Sequence, residues 1–81
     1  MVEILEPINV WAFFKNGVIS PYLFFWNCRQ IKVDKINLIH TTKIGTSLFY
    51  HFAISSGNNF YQLRLDTNKM KWFIEAVDSE P

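Results

Sequence analysis

The chain has 81 residues, of which 49% are hydrophobic and 19% are charged, and its formal net charge at pH 7 is +1. A chain of this length has room for one hydrophobic core, which argues against a second domain and against a large enclosed active site. The high apolar content and the low net charge argue against intrinsic disorder. We therefore predict one small domain over residues 1–81, with an ordered part at 8–77 and frayed termini.

The longest apolar runs, 10–14 and 22–26, are much shorter than the roughly 17–25 residues of a transmembrane helix. The N-terminus carries Glu3 and Glu6 instead of the basic segment that opens a signal peptide. The only cysteine, Cys28, has no intrachain disulfide partner. We therefore expect a cytoplasmic protein without membrane contact.

The charges are distributed unevenly along the chain. Four of the seven acidic residues lie near the ends, so residues 7–77 hold all eight Lys and Arg against three acids. The net charge of this part is therefore about +5, which is a weaker bias than nucleic-acid-binding domains usually carry. Charge alone does not predict a partner.

Turn residues recur at the short intervals that are typical of a strand meander. Asn16-Gly17, Asn27-Cys28 and Ser56–Asn59 separate β-branched and aromatic runs, and Asp66 is expected to cap the turn at 66–69 through its own side chain. The predicted strands lie near 8–15, 20–26, 29–33, 36–42, 47–55, 60–65 and 70–77. They predict an all-β fold, a six- or seven-stranded antiparallel meander curled into a small barrel or half-barrel.

Within these strands, alternation of apolar and polar residues predicts which side is buried. The parity changes between Val33 and Ile36, which predicts a β-bulge or bend at Asp34-Lys35 that lets the sheet curl. The predicted core is Trp11, Phe13, Tyr22, Phe24, Trp26, Ile31, Val33, Ile36, Leu38, Leu48, Tyr50, Phe52, Ile54, Tyr61, Leu63, Leu65, Trp72 and Ile74.

Two segments do not alternate. Residues 10–14 and 22–26 are apolar on both faces of their strands, which a single-layer sheet with a solvated outer face does not require. We expect something to cover the second face: a neighbouring subunit, the terminal segment 1–7, or a ligand.

No catalytic or metal-binding pattern is present in the sequence. His40, His51 and Cys28 lack the paired spacing of a zinc site, and the three glycines stand in separate turns, so that no phosphate-binding loop is formed. We predict that the chain is not an enzyme and uses no metal, cofactor or small-molecule substrate. An enzymatic interpretation would require a structure that places His40 or His51 beside Cys28 or beside an acidic residue in a cleft.

The remaining combination is aromatic and basic residues on the outer face of the sheet. The predicted binding surface consists of Phe25, Phe49, Phe60, Phe73, Lys32, Arg64 and Lys71. The first interpretation is a non-enzymatic binding module whose outer aromatic face contacts a protein, most simply another copy of itself, because Phe and Arg are used in interface cores. The alternative is weak, sequence-tolerant binding of single-stranded nucleic acid by Phe49, Phe73, Arg64, Lys71 and Lys32.

Residues Pro21–Val33 resemble a P-x-x-F-x-W-x-G-R-x-Y-x-V pattern found in a family of small uncharacterised bacterial β-barrel domains. Tyr61–Asp66, followed by Trp72, is similar to the family's Y-x-L-x-x-D and its last strand. The chain departs from the pattern at Cys28, where the family has a turn glycine, and at Ile31, where it has tyrosine. The resemblance implies a small β-barrel, and because some members resemble accessory parts of bacterial DNA-repair systems, it favours nucleic acid slightly.

Overall fold

The structure, a computed structural model, describes residues 2–79. These residues form seven antiparallel β-strands and no helix. The strands are β1 (Val2–Lys15), β2 (Val18–Trp26), β3 (Arg29–Lys32), β4 (Lys35–Ile44), β5 (Ser47–Ser56), β6 (Asn59–Asp66) and β7 (Lys71–Ser79). The predicted fold class is confirmed, and each predicted strand matches an observed one. The strands extend beyond the predicted ordered part 8–77, since residues 2–7 belong to β1 and residues 78–79 to β7, while residues 1, 80 and 81 lie outside the described part.

One curled sheet contains all seven strands, in the order β3-β2-β1-β7-β6-β5-β4. The first half of β1 pairs with β7, where Val2 lies opposite Val77, and the second half pairs with β2. The chain passes from β3, at one edge of the sheet, to β4, at the other edge, through Val33 and Asp34 alone. Because both edges are tied together in this way, the sheet curls into a half-barrel.

The bend predicted at Asp34-Lys35 is observed at Val33-Asp34, between β3 and β4. The bulge lies slightly further along the chain, within β4. The pairing of β4 with β5 shifts between Ile36 and Leu38, so that Asn37 is the extra residue. The Asp34 carboxylate accepts a hydrogen bond of 2.7 Å from the backbone N–H of Gly57, which fixes the crossing against the β5–β6 turn. The sheet therefore changes direction at this crossing, as the parity change in the sequence indicates.

Five of the strand connections are turns of two to four residues that contain at least one residue with positive φ. Asn16 and Gly17 both have positive φ, as do Asn27 and Cys28, which is the geometry of a type I′ hairpin turn. At the β6–β7 turn, the Asp66 carboxylate accepts hydrogen bonds from the backbone N–H groups of Asn68 and Lys69, as the sequence predicts. These turns set the register of the strands that they join.

Cys28 occupies a position that favours glycine. Its φ is 60°, and a left-handed conformation costs an L-residue about 1–2 kcal/mol. We expect Cys28→Gly to raise the free energy of unfolding by about 0.5–1 kcal/mol, because the relief of this strain exceeds the entropy that glycine adds to the unfolded chain. Urea denaturation would measure the change. Cys28→Ala, which removes the thiol and keeps Cβ, serves as the control and should stay close to the parent; equal midpoints for the two variants would contradict the explanation.

The core fills the concave side of the half-barrel. The eight side chains that form the buried cluster come from β2, β3, β5, β6 and β7: Phe24, Ile31, Phe52, Ile54, Tyr61, Leu63, Leu65 and Ile74. Tyr61 packs edge-on against Phe24, with ring centroids 5.2 Å apart. All eight were predicted to be core residues from the alternation in the sequence. Trp26, Val33, Ile36, Tyr50 and Trp72 pack at its margin and are partly buried.

Four residues of the predicted core are exposed instead: Trp11, Phe13, Tyr22 and Leu38. In β1 the smaller side chains face inward, with Ala12 opposite the fully buried Pro21. Val10, opposite the buried Phe24, also packs against the core, so the rings of Trp11 and Phe13 face outward.

Tyr22 and Leu38 are exposed because of register shifts in their strands. The β1–β2 pairing shifts between Trp11 and Ala12, so that Tyr22 and Leu23 both lie near Trp11 on the outer face. In β4, Asn37 is the extra residue of a register shift, which places Leu38 opposite Ala53, away from the core. An extra residue reverses the alternation on one side of a bulge, which period-two reasoning does not anticipate.

Residues 2–79 contain no helix with the length and apolar character that a bilayer crossing needs.

Candidate functional site

Four aromatic side chains share the outer face of the β1–β2 hairpin. Trp11, Phe13, Tyr22 and Phe25, which we call the aromatic surface, are each between 42% and 48% exposed. The rings of Phe13 and Tyr22 contact each other at a centroid distance of 5.6 Å and a tilt of 42°. Trp11 and Phe13 lie two residues apart on one strand, about 6.8 Å, so each ring presents a separate surface to solvent. Large apolar groups therefore stay accessible on this face.

The charged side chains between residues 7 and 33 are all basic. Residues 7–33, which include the second half of β1, all of β2 and all of β3, contain Lys15, Arg29 and Lys32 and no acidic residue. Lys32 lies opposite Leu23 on the outer face, and Lys15 ends β1 opposite Val18. The surface therefore combines exposed rings with Lys15 and Lys32 on the same face, whereas Arg29, opposite the core-packed Trp26, lies on the other face.

Glu6 marks the end of this basic region. Together with Phe25, Trp26 and Asn27 it lines a shallow depression of about 460 Å³ between the start of β1 and the β2–β3 turn. A negatively charged partner would therefore be favoured along the hairpin and disfavoured beyond Phe25.

A second group of aromatic and charged residues lies on the outer face of β5, β6 and β7. The Arg64 guanidinium lies between two rings, 5.2 Å from the centroid of Phe49 and 5.5 Å from that of Phe73. Its Nη1 lies 3.6 Å from a carboxylate oxygen of Glu75. We call Phe49, Arg64, Phe73 and Glu75 the arginine cluster. Because the guanidinium already contacts both rings and the carboxylate, we attribute to this cluster the packing of three neighbouring strands.

The imidazole of His51 connects the arginine cluster to β4. Nδ1 of His51 lies 2.8 Å from Oε1 of Glu75, and Nε2 lies 2.7 Å from the Thr42 hydroxyl. A neutral imidazole with its proton on Nδ1 satisfies both contacts, since Nδ1 donates to the carboxylate and Nε2 accepts from the hydroxyl. The ring of His40 stacks on His51 at 4.6 Å and covers one of its faces. Side chains from β4, β5 and β7 are thereby linked across the outer face.

Thr42, His51 and Glu75 follow the order of a nucleophile, a base and an orienting carboxylate. An enzymatic interpretation requires a histidine beside an acidic residue in a cleft, as stated in the sequence analysis. His51 does lie beside Glu75. The adjacent cleft, of about 280 Å³, is lined by Glu3, Leu5, Gln62, Arg64, Glu75 and Ala76. Thr42 is not among these residues, and His51 is 7% exposed. The hydroxyl and the imidazole thus do not face the cleft, and the network has the geometry of a structural link.

The predicted binding residues fall into four places. Phe25 belongs to the aromatic surface, and Lys32 borders it. Phe49, Arg64 and Phe73 belong to the arginine cluster, where the rings are half-buried.

The last two predicted residues lie apart from each other. Phe60 is 41% exposed at the start of β6, between Ser55 and Asp78, and Lys71 begins β7 opposite Asp66. The predicted surface is therefore not continuous.

The aromatic surface contains three residues that sequence reasoning assigned to the core. Trp11, Phe13 and Tyr22 belong to the two segments that are apolar on both faces, so the sequence did indicate a surplus of apolar side chains there. It did not indicate which rings were in surplus, because nothing in an apolar run shows the parity. The absence of acids from residues 7–33 is a signal that could have pointed to this hairpin.

Residues 2–79 bring no three His, Cys, Asp or Glu side chains close enough together to bind a metal ion. Cys28 is exposed in the β2–β3 turn and contains a free thiol.

Comparison with known proteins yields no match: no protein-family model fits the chain, and neither a curated protein nor a solved structure is significantly similar to it. The resemblance based on Pro21–Val33 therefore stays a prediction.

Proposed function

We propose that the chain is a non-enzymatic binding module that holds single-stranded nucleic acid on its aromatic surface. The observation that carries the proposal is the combination of four half-exposed rings with Lys15 and Lys32 on one face of β1, β2 and β3. Bases stack on exposed aromatic rings, at about 1–3 kcal/mol each, while cations beside the rings neutralise the phosphates. Stacking does not depend on the identity of the base, so the binding should tolerate different sequences.

The site differs from the alternative that the sequence suggests. That alternative uses Phe49, Phe73, Arg64, Lys71 and Lys32, of which only Lys32 borders the aromatic surface. Phe49 and Phe73 hold the Arg64 guanidinium between them, so neither ring offers an open face on that side to a base. Trp11, Phe13 and Tyr22 take their place in the proposal, together with Phe25.

Contact with another copy of the chain through the same aromatic surface is the second candidate. It is favoured by further apolar exposure at the end of the hairpin, where Phe14 and Val18 are exposed next to Phe13. It ranks second because two such surfaces, meeting face to face, would bring Lys15 and Lys32 of both copies together without any acid to compensate them. A polyanion meets the same surface without this repulsion.

The salt dependence of binding tests the proposal. We expect a fluorescently labelled single-stranded oligonucleotide to bind at low ionic strength, with the logarithm of the affinity falling linearly against the logarithm of the salt concentration. One or two phosphate contacts from Lys15 and Lys32 predict a slope of about −0.7 to −1.4. Lys32→Ala should reduce the steepness by about 0.7.

Lys69→Ala is the matched control, since it removes the same charge from the β6–β7 turn and should leave the slope unchanged. No binding of the oligonucleotide at low salt would exclude the proposal. Equal effects of the two lysine variants would show that binding depends on overall charge and not on this surface. Concentration-dependent association that is unaffected by salt would instead favour the second candidate.

A further inference from the structure

One edge of the sheet is open over most of a long strand. β4 is the last strand in the sheet order, and within residues 2–79 it pairs only with β5. The eight residues 37–44 are all exposed. Proteins usually protect such an edge with proline, clustered charges or a covering segment, because its unpaired backbone groups can accept another strand. Here the open stretch contains no proline and a single lysine, Lys43.

The turn at the end of β4 shows which backbone groups point outward. Ile44 and Ser47 lie opposite each other across the two-residue turn Gly45-Thr46, and the residues that flank such a turn are a hydrogen-bonded pair. Hydrogen-bonded and non-hydrogen-bonded pairs alternate along an antiparallel ladder. The N–H and C=O groups of Ile39, Thr41 and Lys43 therefore point away from β5, toward the open edge.

We infer that two copies of the chain pair through β4, antiparallel, across a two-fold axis that passes beside Thr41. This register places Thr41 opposite Thr41 of the second copy and Ile39 opposite Lys43, so that all three outward-pointing residues are hydrogen-bonded. It also places Leu38 of one copy opposite Ile44 of the other on the outer face.

The composition of β4 makes this pairing self-complementary. Leu38 and Ile44 are 57% and 65% exposed in the single chain, and the paired register covers both of them. Lys43 meets an isoleucine and not a second lysine, so no like charges face each other directly. A register shifted by one residue would place His40 opposite His40 and would pair Thr41 with Ile39, leaving Lys43 opposite the bulged Asn37. The arrangement centred on Thr41 avoids these conflicts, and it leaves the aromatic surface on β1 and β2 uncovered.

Backbone amide exchange can detect the contact directly. In dilute protein the amides of Ile39, Thr41 and Lys43 should exchange fast, while those of His40 and Thr42, bonded to β5, should be protected. Raising the concentration from about 10 µM to about 1 mM should protect the first three amides without changing the others. Unchanged fast exchange at all three positions over this range, together with sedimentation as a monomer, would overturn the inference.

Thr41→Pro gives an independent test, because it removes one outward-pointing N–H, and proline is tolerated on an edge strand at such a position. We expect it to weaken dimerisation at least about 100-fold in sedimentation experiments, whereas Thr41→Val, which keeps the N–H and the β-branch, should change the affinity by less than about threefold. Should Thr41→Pro fail to fold, the exchange experiment on the unmodified chain decides. A dimer that survives Thr41→Pro, or one that only Phe25→Ala abolishes, would place the contact elsewhere.

Discussion

Replacing Phe25 with alanine should weaken the binding of single-stranded nucleic acid by about 5- to 150-fold, the effect of losing one stacked base. Phe25 is 42% exposed, so its truncation removes little of the core. The double variant Trp11→Ala/Phe25→Ala removes rings from both strands of the hairpin, and it should lower the affinity further. Fluorescence anisotropy with a labelled oligonucleotide at low salt would measure both changes.

Phe60→Ala is a matched control for this experiment. Phe60 is 41% exposed, the same within one per cent as Phe25, and the sequence alone places both residues in the binding surface. It lies on β6, which β7 separates from the hairpin of β1 and β2. We therefore expect no loss of affinity from Phe60→Ala. If both variants weaken binding equally while their melting temperatures stay at the parent value, the aromatic surface is not the specific site.

Leu63→Ala should be one of the most destabilising single substitutions in the chain. Leu63 is fully buried in the centre of the core, and truncation of a buried leucine costs about 2–5 kcal/mol. Domains gain about 0.05–0.15 kcal/mol per residue on folding, which gives a total of about 4–12 kcal/mol for this chain. The variant should therefore retain only part of the stability, and its melting temperature should fall by at least about 10 °C.

Leu38→Ala makes the same chemical change on the surface. The alternation of the sequence places Leu63 and Leu38 together in the core, but the bulge at Asn37 turns Leu38 outward. Its truncation should change the free energy of unfolding by no more than about 0.5 kcal/mol. Thermal unfolding followed by circular dichroism would compare the two. At about 10 µM, where the chain is expected to be monomeric, a loss of about 2 kcal/mol or more in Leu38→Ala would mean that this side chain is buried within the single chain, against the structure.

The strand positions could be predicted because turn chemistry is local. A residue with positive φ is best supplied by Gly or Asn, and the pairs Asn16-Gly17 and Asn27-Cys28 are visible in the sequence without any knowledge of the fold. The strands β5 and β6 alternate strictly, so that Phe52, Ile54 and Leu63 could be assigned to the core from the same local information.

The orientation of β1 and β2 could not be predicted from the sequence. Each strand is apolar on both faces over five residues, and a register shift between Trp11 and Ala12 reverses the parity of Tyr22 relative to Phe24. The position of such a shift depends on how tightly the sheet curls at this corner, which is a property of the whole half-barrel. As a result, the most exposed rings of the site were assigned to the core.

Only part of the arginine cluster could be predicted from the sequence, because part of it also depends on strand register. That Phe49, Arg64 and Phe73 share the outer face follows from alternation, whereas the contact of Glu75 with His51 depends on the pairing of β5, β6 and β7 across an irregular register. Residues 24 positions apart in sequence meet there, and no local pattern encodes the distance between their side chains.

Because β1 pairs with both β2 and β7, its two halves can find their partner strands only in a fixed order during synthesis. The second half of β1 finds β2 across a two-residue turn, so this hairpin can form early during synthesis. Its first half needs β7, with Val2 opposite Val77, and a contact between such distant positions must overcome the entropy of closing almost the entire chain. While residues 71–79 are still inside the ribosomal tunnel, the strand from Val2 to Ile8 has no neighbour on that side. The nascent sheet can therefore close only after residues 71–79 have left the tunnel.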